Sequence, residues 1–443
     1  MMDVKNTTGS VPAPAQTPGL NPFLPFSLYI PDGEPKVFGD RVYLYGSFDR
    51  FANGYCCGEY HVVSAPIRDL TDWTDHGMSF SSKDVPWSDA LLYAPDALFH
   101  NGKYYLFFCM SDGTEGVAES DKPEGPFRNA RQITLCGVPI TGIDPSVLSD
   151  NGHIYYTWGQ FHLNMGELGD DLCTLIPDSI HTDVLSNADG REGFHEGSSL
   201  RRLGEYYCLI YASEYSEAYP HHGARPTKLD YAVSRLPYGP YVRRGTVIDN
   251  EGCDPQSWNN HGSVICIGGT WYVFYHASSN NSQFSRRARV EHLSVDVLAG
   301  LIRQADVTSN GFTGTLLAEY ITSPVHACRF FGGAYVTETP DGRFPAVCRQ
   351  SGCGFAFSPI RFETGTYALK LYCRAENMRV RVFLGDACVI DAPVPDCADQ
   401  HECRFSFAAD GGFAPFRIEC VGTGDACFLE TDRLCLTHMG KEI

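Results

Sequence analysis

The sequence predicts an all-β fold, a five-bladed β-propeller followed by a C-terminal antiparallel β-sandwich. Three observations predict it. Five times in the first 275 residues a glycine-containing turn leads into an aromatic strand. Apolar edge segments ending in Pro or Gly turns recur between these strands, and after about residue 312 the repeat gives way to plain two-residue alternation.

In chain order, residues 1–19 are rich in Pro, Ser and Thr and form an irregular lead. The aromatic strands follow as GDRVYLY from Gly39, NGKYYLFF from Asn101, NGHIYYTW from Asn151, LGEYYCLIY from Leu203 and GGTWYVFYH from Gly268. With Tyr43, Tyr104, Tyr155, Tyr206 and Tyr272 as landmarks, the steps are 61, 51, 51 and 66 residues, the range of propeller blades. The segments VVSAPIRDLTDW from Val62, VAESDKPEGPF from Val117 and YAVSRLPYGPY from Tyr231 fit outer strands and the turns between blades. These elements place the propeller at residues 20–312. From Gly365 onward GTYALKLYCRA, MRVRVFLG, FRIECVG and ACFLETDRLCL alternate with period two, which assigns residues 313–443 to a sandwich.

Composition narrows the function. A net charge of −19 argues against a nucleic-acid partner and suits a neutral, hydroxyl-rich ligand. No apolar run approaches the length that spans a bilayer, so no membrane partner is expected. The first residues, MMDVKNTTGS, lack the basic start and apolar core of a secretory signal, which predicts a cytoplasmic protein. The 18 cysteines are scattered through strands, where the side chain behaves as a small buried hydrophobe, and none has zinc-ribbon or C-x-x-C spacing.

One ionisable residue precedes each aromatic strand. Asp32, Asp144 and His261 stand eleven residues before their tyrosine landmarks, Glu196 ten and Asp96 eight. Equivalent offsets mean equivalent places in the blades, so these groups converge at one end of the channel. Singly, an Asp before Pro or Gly is ordinary turn chemistry. Glu196 in FHEGSS is a poor turn former between apolar neighbours, and a ring of carboxyls in a desolvated funnel is costly enough to signal chemistry. Two carboxyls, one protonated and one ionised, are the apparatus of glycoside hydrolysis, and a third can hold the acid's proton through like-charge repulsion. His261 fits either substrate contact or the ordering of water or an ion at the channel floor.

The set PDG, YAPD, GIDPS, HEGSS and NNHGS, followed by FYH and FSRR, resembles glycoside hydrolase family 43 over residues 20 to 310. The resemblance implies an inverting enzyme acting on arabinose- and xylose-containing glycans. It implies Asp32 as general base, Asp144 as the residue that tunes and orients the acid, and Glu196 as general acid. It also implies His261 beside a structural calcium, direct or through water, with no cofactor required for the chemistry. Arg286 of FSRR falls where family members hold sugar hydroxyls, and alternation turns Arg287 the other way. Asp32 is followed by Gly33 where the family commonly has Pro, which leaves Glu34 of Glu34-Pro35 as a rival base. Candidates for contact with sugar are Asp96, Tyr93, Trp158 and Phe284, with Phe51 and Phe161 as further aromatics.

The expected activity is exo-acting release of terminal pentoses from plant-type oligosaccharides, first as an α-L-arabinofuranosidase, with β-xylosidase or galactofuranosidase as alternatives. A reading from another class is a non-catalytic glycan-binding propeller, whose carboxylates serve as hydrogen-bond acceptors or calcium ligands; it has no need for a Glu whose pKa must be raised. The C-terminal strands resemble the carbohydrate-binding sandwiches appended to this family, although no exposed aromatic platform marks a sugar site.

Overall fold

The computed structural model describes residues 17–50, 53–186, 192–215, 225–424 and 426–440. Among them the regular structure is strand with short 3-10 turns, so the chain is all-β as expected. Five antiparallel sheets, each made from consecutive strands, occupy the first two thirds. The first holds Glu34–Phe38, Arg41–Tyr45, Glu59–Pro66 and Thr74–Ser81, and the second Asp96–His100, Lys103–Cys109, Glu115–Ser120 and Arg128–Gln132. The third holds Ser146–Asp150, His153–Trp158 and Asn164–Glu167; the fourth Phe194–Leu203, Tyr206–Ser213, Lys228–Ser234 and Val242–Asp249. Ser263–Ile267, Thr270–Ser279 and Ser282–Leu293 make the fifth.

The aromatic segments are the second strands of these sheets, and their alternation explains how the sheets pack. Successive side chains leave opposite faces of a strand. Val42 and Leu44 therefore meet Ile267, Phe274 and Val290 of the fifth sheet, while Tyr43 and Tyr45 meet Ala97, Leu106 and Phe108 of the second. Further clusters join the second sheet to the third through Phe107 and Tyr156, the third to the fourth through Tyr155 and Leu209, and the fourth to the fifth through Ile210 and Val273. The five sheets thus close a ring, and a parallel bridge between Gly33 and Gly262 joins its ends.

The remaining strands form one nine-stranded sheet built around Cys353–Glu376 and Cys397–Gly422. These two pair almost end to end, with the register broken between Phe357 and Ile360. Phe416, on one side of this break, packs 6.2 Å from Phe407 on the other, so both arms of the sheet cover one core. All 18 cysteines are free thiols.

The N-terminal segment ties the two parts. Leu20 lies in the core of the nine-stranded sheet. Its neighbour Asn21, fully buried, donates to the Val290 carbonyl (2.8 Å) and Glu291 Oε1 (3.0 Å) of the fifth sheet.

Candidate active site

The first strand of each sheet runs beside the ring axis, and the residues just before it determine what the axis presents. Asp32 and Asp144 both stand two residues before their strands, with φ of 58° and 55°. Asp is among the few side chains that tolerate this left-handed region, and such backbone is characteristic of sites where a side chain must be aimed. Glu196 sits at a register shift near the start of its strand, followed by Gly197 at φ 66°. A Cβ at Gly197 would stand 2.9 Å from the His261 ring, so glycine lets the acid strand approach the histidine.

These residues open on one cavity of about 260 Å³. Asp32, Asp144, Glu196, His261, Arg286 and Tyr93 line it, as expected from the sequence, together with Tyr55, Gln160, His195, Trp258 and Asn259. The three carboxyls occupy distinct environments. Asp32 Oδ1 accepts from Arg286 Nη1 (2.8 Å) and lies 3.2 Å from His276 Nδ1 and 3.7 Å from His261 Nδ1. Burial alone would raise its pKa, but the Arg286 guanidinium and the two histidines carry it well below the usual carboxylate range. Asp144 Oδ2 accepts from the Gly197 N–H (3.0 Å), and its pKa is raised well above the ordinary value by burial and then by the charges of Glu196 and Asp32. Glu196 Oε2 accepts from Gln160 Nε2 (2.7 Å) and lies 3.7 Å from His195 Nε2. Burial lowers the His261 pKa despite Asp32, which keeps the ring neutral.

Asp96 is not at the cavity. In the ladder Asp96 stands opposite Phe107 and Leu98 opposite Tyr105, so the structural landmark of that sheet is Tyr105 and not Tyr104. Asp96 is thereby the counterpart of Glu34, Ser146 and Ser263, one layer deeper, and Ala94 takes the ring position on the cavity wall. The deeper layer is a polar floor. Ser199 Oγ donates to Glu34 Oε2 (3.2 Å) and shares a hydrogen bond with Ser263 Oγ (2.7 Å), and Ser146 Oγ donates to Asp96 Oδ2 (3.2 Å). Lys36 pairs with Asp96 at 2.7 Å, and Arg201 pairs with Glu34. Glu34, the rival base, therefore lies off the cavity lining; burial and Asp96 push its carboxyl up to about 7 against the pull of Arg201.

The same floor bears on calcium. That ion takes six to eight oxygen ligands drawn from carboxylates, carbonyls and waters, and carboxylate charge strengthens its binding. Near His261 the Asp32 carboxylate is already matched by Arg286, and below it Glu34 and Asp96 are matched by Arg201 and Lys36. These carboxyls do not by themselves make a calcium cage, because Asp32 shares Arg286 with Asp49, and Glu34 and Asp96 each meet a fixed cation.

The aromatic candidates divide. Tyr93 lines the cavity, whereas Trp158 is buried against Tyr156 and Gly142, and Phe284 supports the wall residue Tyr55 edge-on at 4.8 Å. Phe161 stands edge-on to His195 at 5.0 Å, and Phe51 lies outside the described residues. Arg286 is clamped by Asp49 through Nε (2.8 Å) and Nη2 (2.9 Å) as well as by Asp32, and it lies over Tyr55. Arg287 faces the other way, over Tyr29 and Phe344. Sequence reasoning missed Asp49, Gln160, His195 and Trp258. His195 and Trp258 sit beside motif residues, in FHEGSS and SWNNHGS, and could have been found by adjacency; Asp49 and Gln160 carry no such signal.

Residues 21–296 match the family model "Glycosyl hydrolases family 43". A xylosidase/arabinosidase of Thermoclostridium stercorarium is 31% identical over 355 residues, 71% of this chain and 72% of that protein. A beta-xylosidase of Xylanibacter ruminicola is 29% identical over 324 residues, 60% of this chain and 94% of its own. Among solved structures, a family 43 beta-xylosidase/alpha-arabinofuranosidase from a compost metagenome, in complex with xylotriose and calcium-free, superposes with a TM-score of 0.55 at 25% identity, covering 66% of this chain and 98% of that one. An arabinoxylan arabinofuranohydrolase of Bacillus subtilis shares the fold over 94% of this chain and 97% of its own, with a TM-score of 0.55 and 21% identity.

Proposed function

Because the chain belongs to glycosyl hydrolase family 43, we propose that it is an inverting, exo-acting hydrolase that removes terminal pentoses from plant-type oligosaccharides, with Asp32, Asp144 and Glu196 as its catalytic carboxyls. One observation carries the reading: three carboxyls of the predicted motifs converge on a single small cavity, each with different partners. A binding protein gains nothing from that division.

The roles follow from the environments. Asp32, kept ionised by Arg286, is the general base that takes a proton from the attacking water, while His261, neutral and 3.7 Å away, helps fix its orientation. Asp144, whose pKa is raised by burial and then by the neighbouring Glu196 and Asp32 charges, tunes and orients the acid. Glu196, as general acid, gives its carboxyl proton to the departing glycosidic oxygen. Tyr55, Tyr93 and Trp258 supply faces for a sugar ring, and the small cavity favours a chain end over a chain interior.

The leading substrate is an α-L-arabinofuranoside, with the β-xyloside second. Relatives named as both, and one named beta-xylosidase, support keeping the two together. We also infer that residues 20–312 are a five-bladed propeller and residues 313–443 a β-sandwich. The closed ring of five sheets, the shared core of the bent nine-stranded sheet and the likeness in fold to the B. subtilis structure support that division.

Aryl α-L-arabinofuranoside, β-D-xyloside and β-D-galactofuranoside, assayed with wild type and Glu196→Gln, test the proposal. Turnover of one of the first two is expected. Glu196→Gln should reduce hydrolysis of an unactivated disaccharide by about 10²–10⁴-fold, the usual contribution of general acid catalysis. Silence on all three, or a Glu196→Gln enzyme with unchanged disaccharide rates, would overturn it.

A further inference from the structure

Beside Glu196 the cavity wall holds a second, unassigned pair of ionisable side chains. His195 precedes Glu196 in the same strand, yet the register shift between Phe194 and Glu196 lets both reach the cavity, where strict alternation would send them to opposite faces. His195 Nδ1 lies 2.5 Å from Glu214 Oε1, and Nε2 lies 3.7 Å from Glu196 Oε2. The ring is nearly buried and has few alternatives to this pose. Phe161 presses on it edge-on, and the Phe161 N–H donates to the His195 carbonyl (2.7 Å).

A carboxylate can only accept, so the contact with Glu214 puts a proton on Nδ1 and fixes which imidazole nitrogen faces the acid. An imidazole oriented at one nitrogen by a carboxylate presents the other in a defined direction and protonation state. We infer that Glu214 and His195 form a positioning pair for the general acid: Glu214 orients His195, and His195 with Gln160 confines Oε2 of Glu196, leaving Oε1 to meet the glycosidic oxygen. The inference rests on Glu196 being the acid. In this role neither His195 nor Glu214 bonds covalently to substrate or takes its proton, and the pair acts through Glu196.

The distinction from a packing role lies in the leaving group. A poor leaving group needs the acid's proton, whereas a nitrophenolate departs with little help. His195→Gln, which approximates the size of the ring and keeps a polar end toward Glu196, Glu214→Ala and Glu214→Gln would be compared with wild type and Glu196→Gln. The substrates are a nitrophenyl glycoside and an unactivated disaccharide of the same terminal pentose, with thermal melts as a check on folding. For Glu214→Ala and His195→Gln, kcat on the disaccharide should fall about 10- to 100-fold, part of what general acid catalysis contributes. KM should change little, the nitrophenyl rate should fall far less, and Glu214→Gln, which keeps an acceptor for Nδ1–H, should recover most of the loss. Equal losses on both substrates, or no loss on either, would overturn the pair's role while Glu196→Gln still discriminates between substrates. If Glu196→Gln itself fails to discriminate, the acid assignment falls and the inference falls with it.

Discussion

Asp32 and Glu34 are two residues apart and both nearly buried, yet only one borders the cavity. The left-handed backbone at Asp32 turns its carboxyl to Arg286, while Glu34, already in the strand, reaches the floor and Arg201. Asp32→Asn should therefore lower kcat by about 10²–10⁴-fold for every leaving group, because the water's proton has no acceptor. Glu34→Gln should retain a kcat within about tenfold of wild type, since the floor touches no substrate, and its penalty should appear as a lower Tm from the unpaired Arg201. Parallel steady-state kinetics and melts on the two variants check both statements. The spacing of Asp32 in the sequence favoured it, but the rivalry with Glu34 turned on one φ angle, which no residue count reports.

At the scale of a strand, the second sheet carries a proton whose removal costs stability. Glu115, at the start of Glu115–Ser120, accepts from the Tyr156 hydroxyl at Oε2 while its Oε1 has no hydrogen-bond partner among the described residues, and burial pushes its pKa up to about 8. In the unfolded chain it ionises near the ordinary 4.5. Between those values the folded state holds the extra proton, so its stabilising effect is complete below about pH 4.5 and is lost as pH rises toward 8. Wild-type Tm should decline over that interval, and Glu115→Gln, which can still accept from Tyr156, should flatten the decline. A Tm profile with the same slope in both proteins would remove Glu115 as its source. The aromatic strands themselves were legible because their glycine turns and alternating side chains are written locally. The error at Asp96 came from the same source: in YYLFF either tyrosine can serve as landmark, and only pairing with the first strand selects Tyr105.

For the whole molecule, the carboxyls of the floor and Asp32 each meet a fixed cation. Arg286, Arg201 and Lys36 meet Asp32, Glu34 and Asp96, so treatment with a chelator should leave kcat and Tm unchanged, and added calcium should raise neither. A loss of activity on chelation that calcium restores would show that the ion is required. The cations escaped sequence reasoning because Lys36 and Arg201 look like solvated strand residues until five sheets face one another. The general class of the site was legible from five motifs at shared offsets, whereas its wall, Gln160, Trp258 and Tyr55, comes from connecting loops whose path only the closed ring determines.

Leu20 and Asn21 are neighbours in the chain with loyalties to different halves of the molecule, one in the core of the nine-stranded sheet and the other hydrogen-bonded to the outermost strand of the fifth. A cut near residue 312 would therefore not yield two separable modules. The downstream fragment would lack a core side chain that is encoded some three hundred residues upstream, and the upstream fragment would carry Leu20 stripped of its cover. For this chain the accessory half is better regarded as a stopper seated through the N-terminus than as a passenger on a tether, and exchanging it for another protein's sandwich would require exchanging the first residues too.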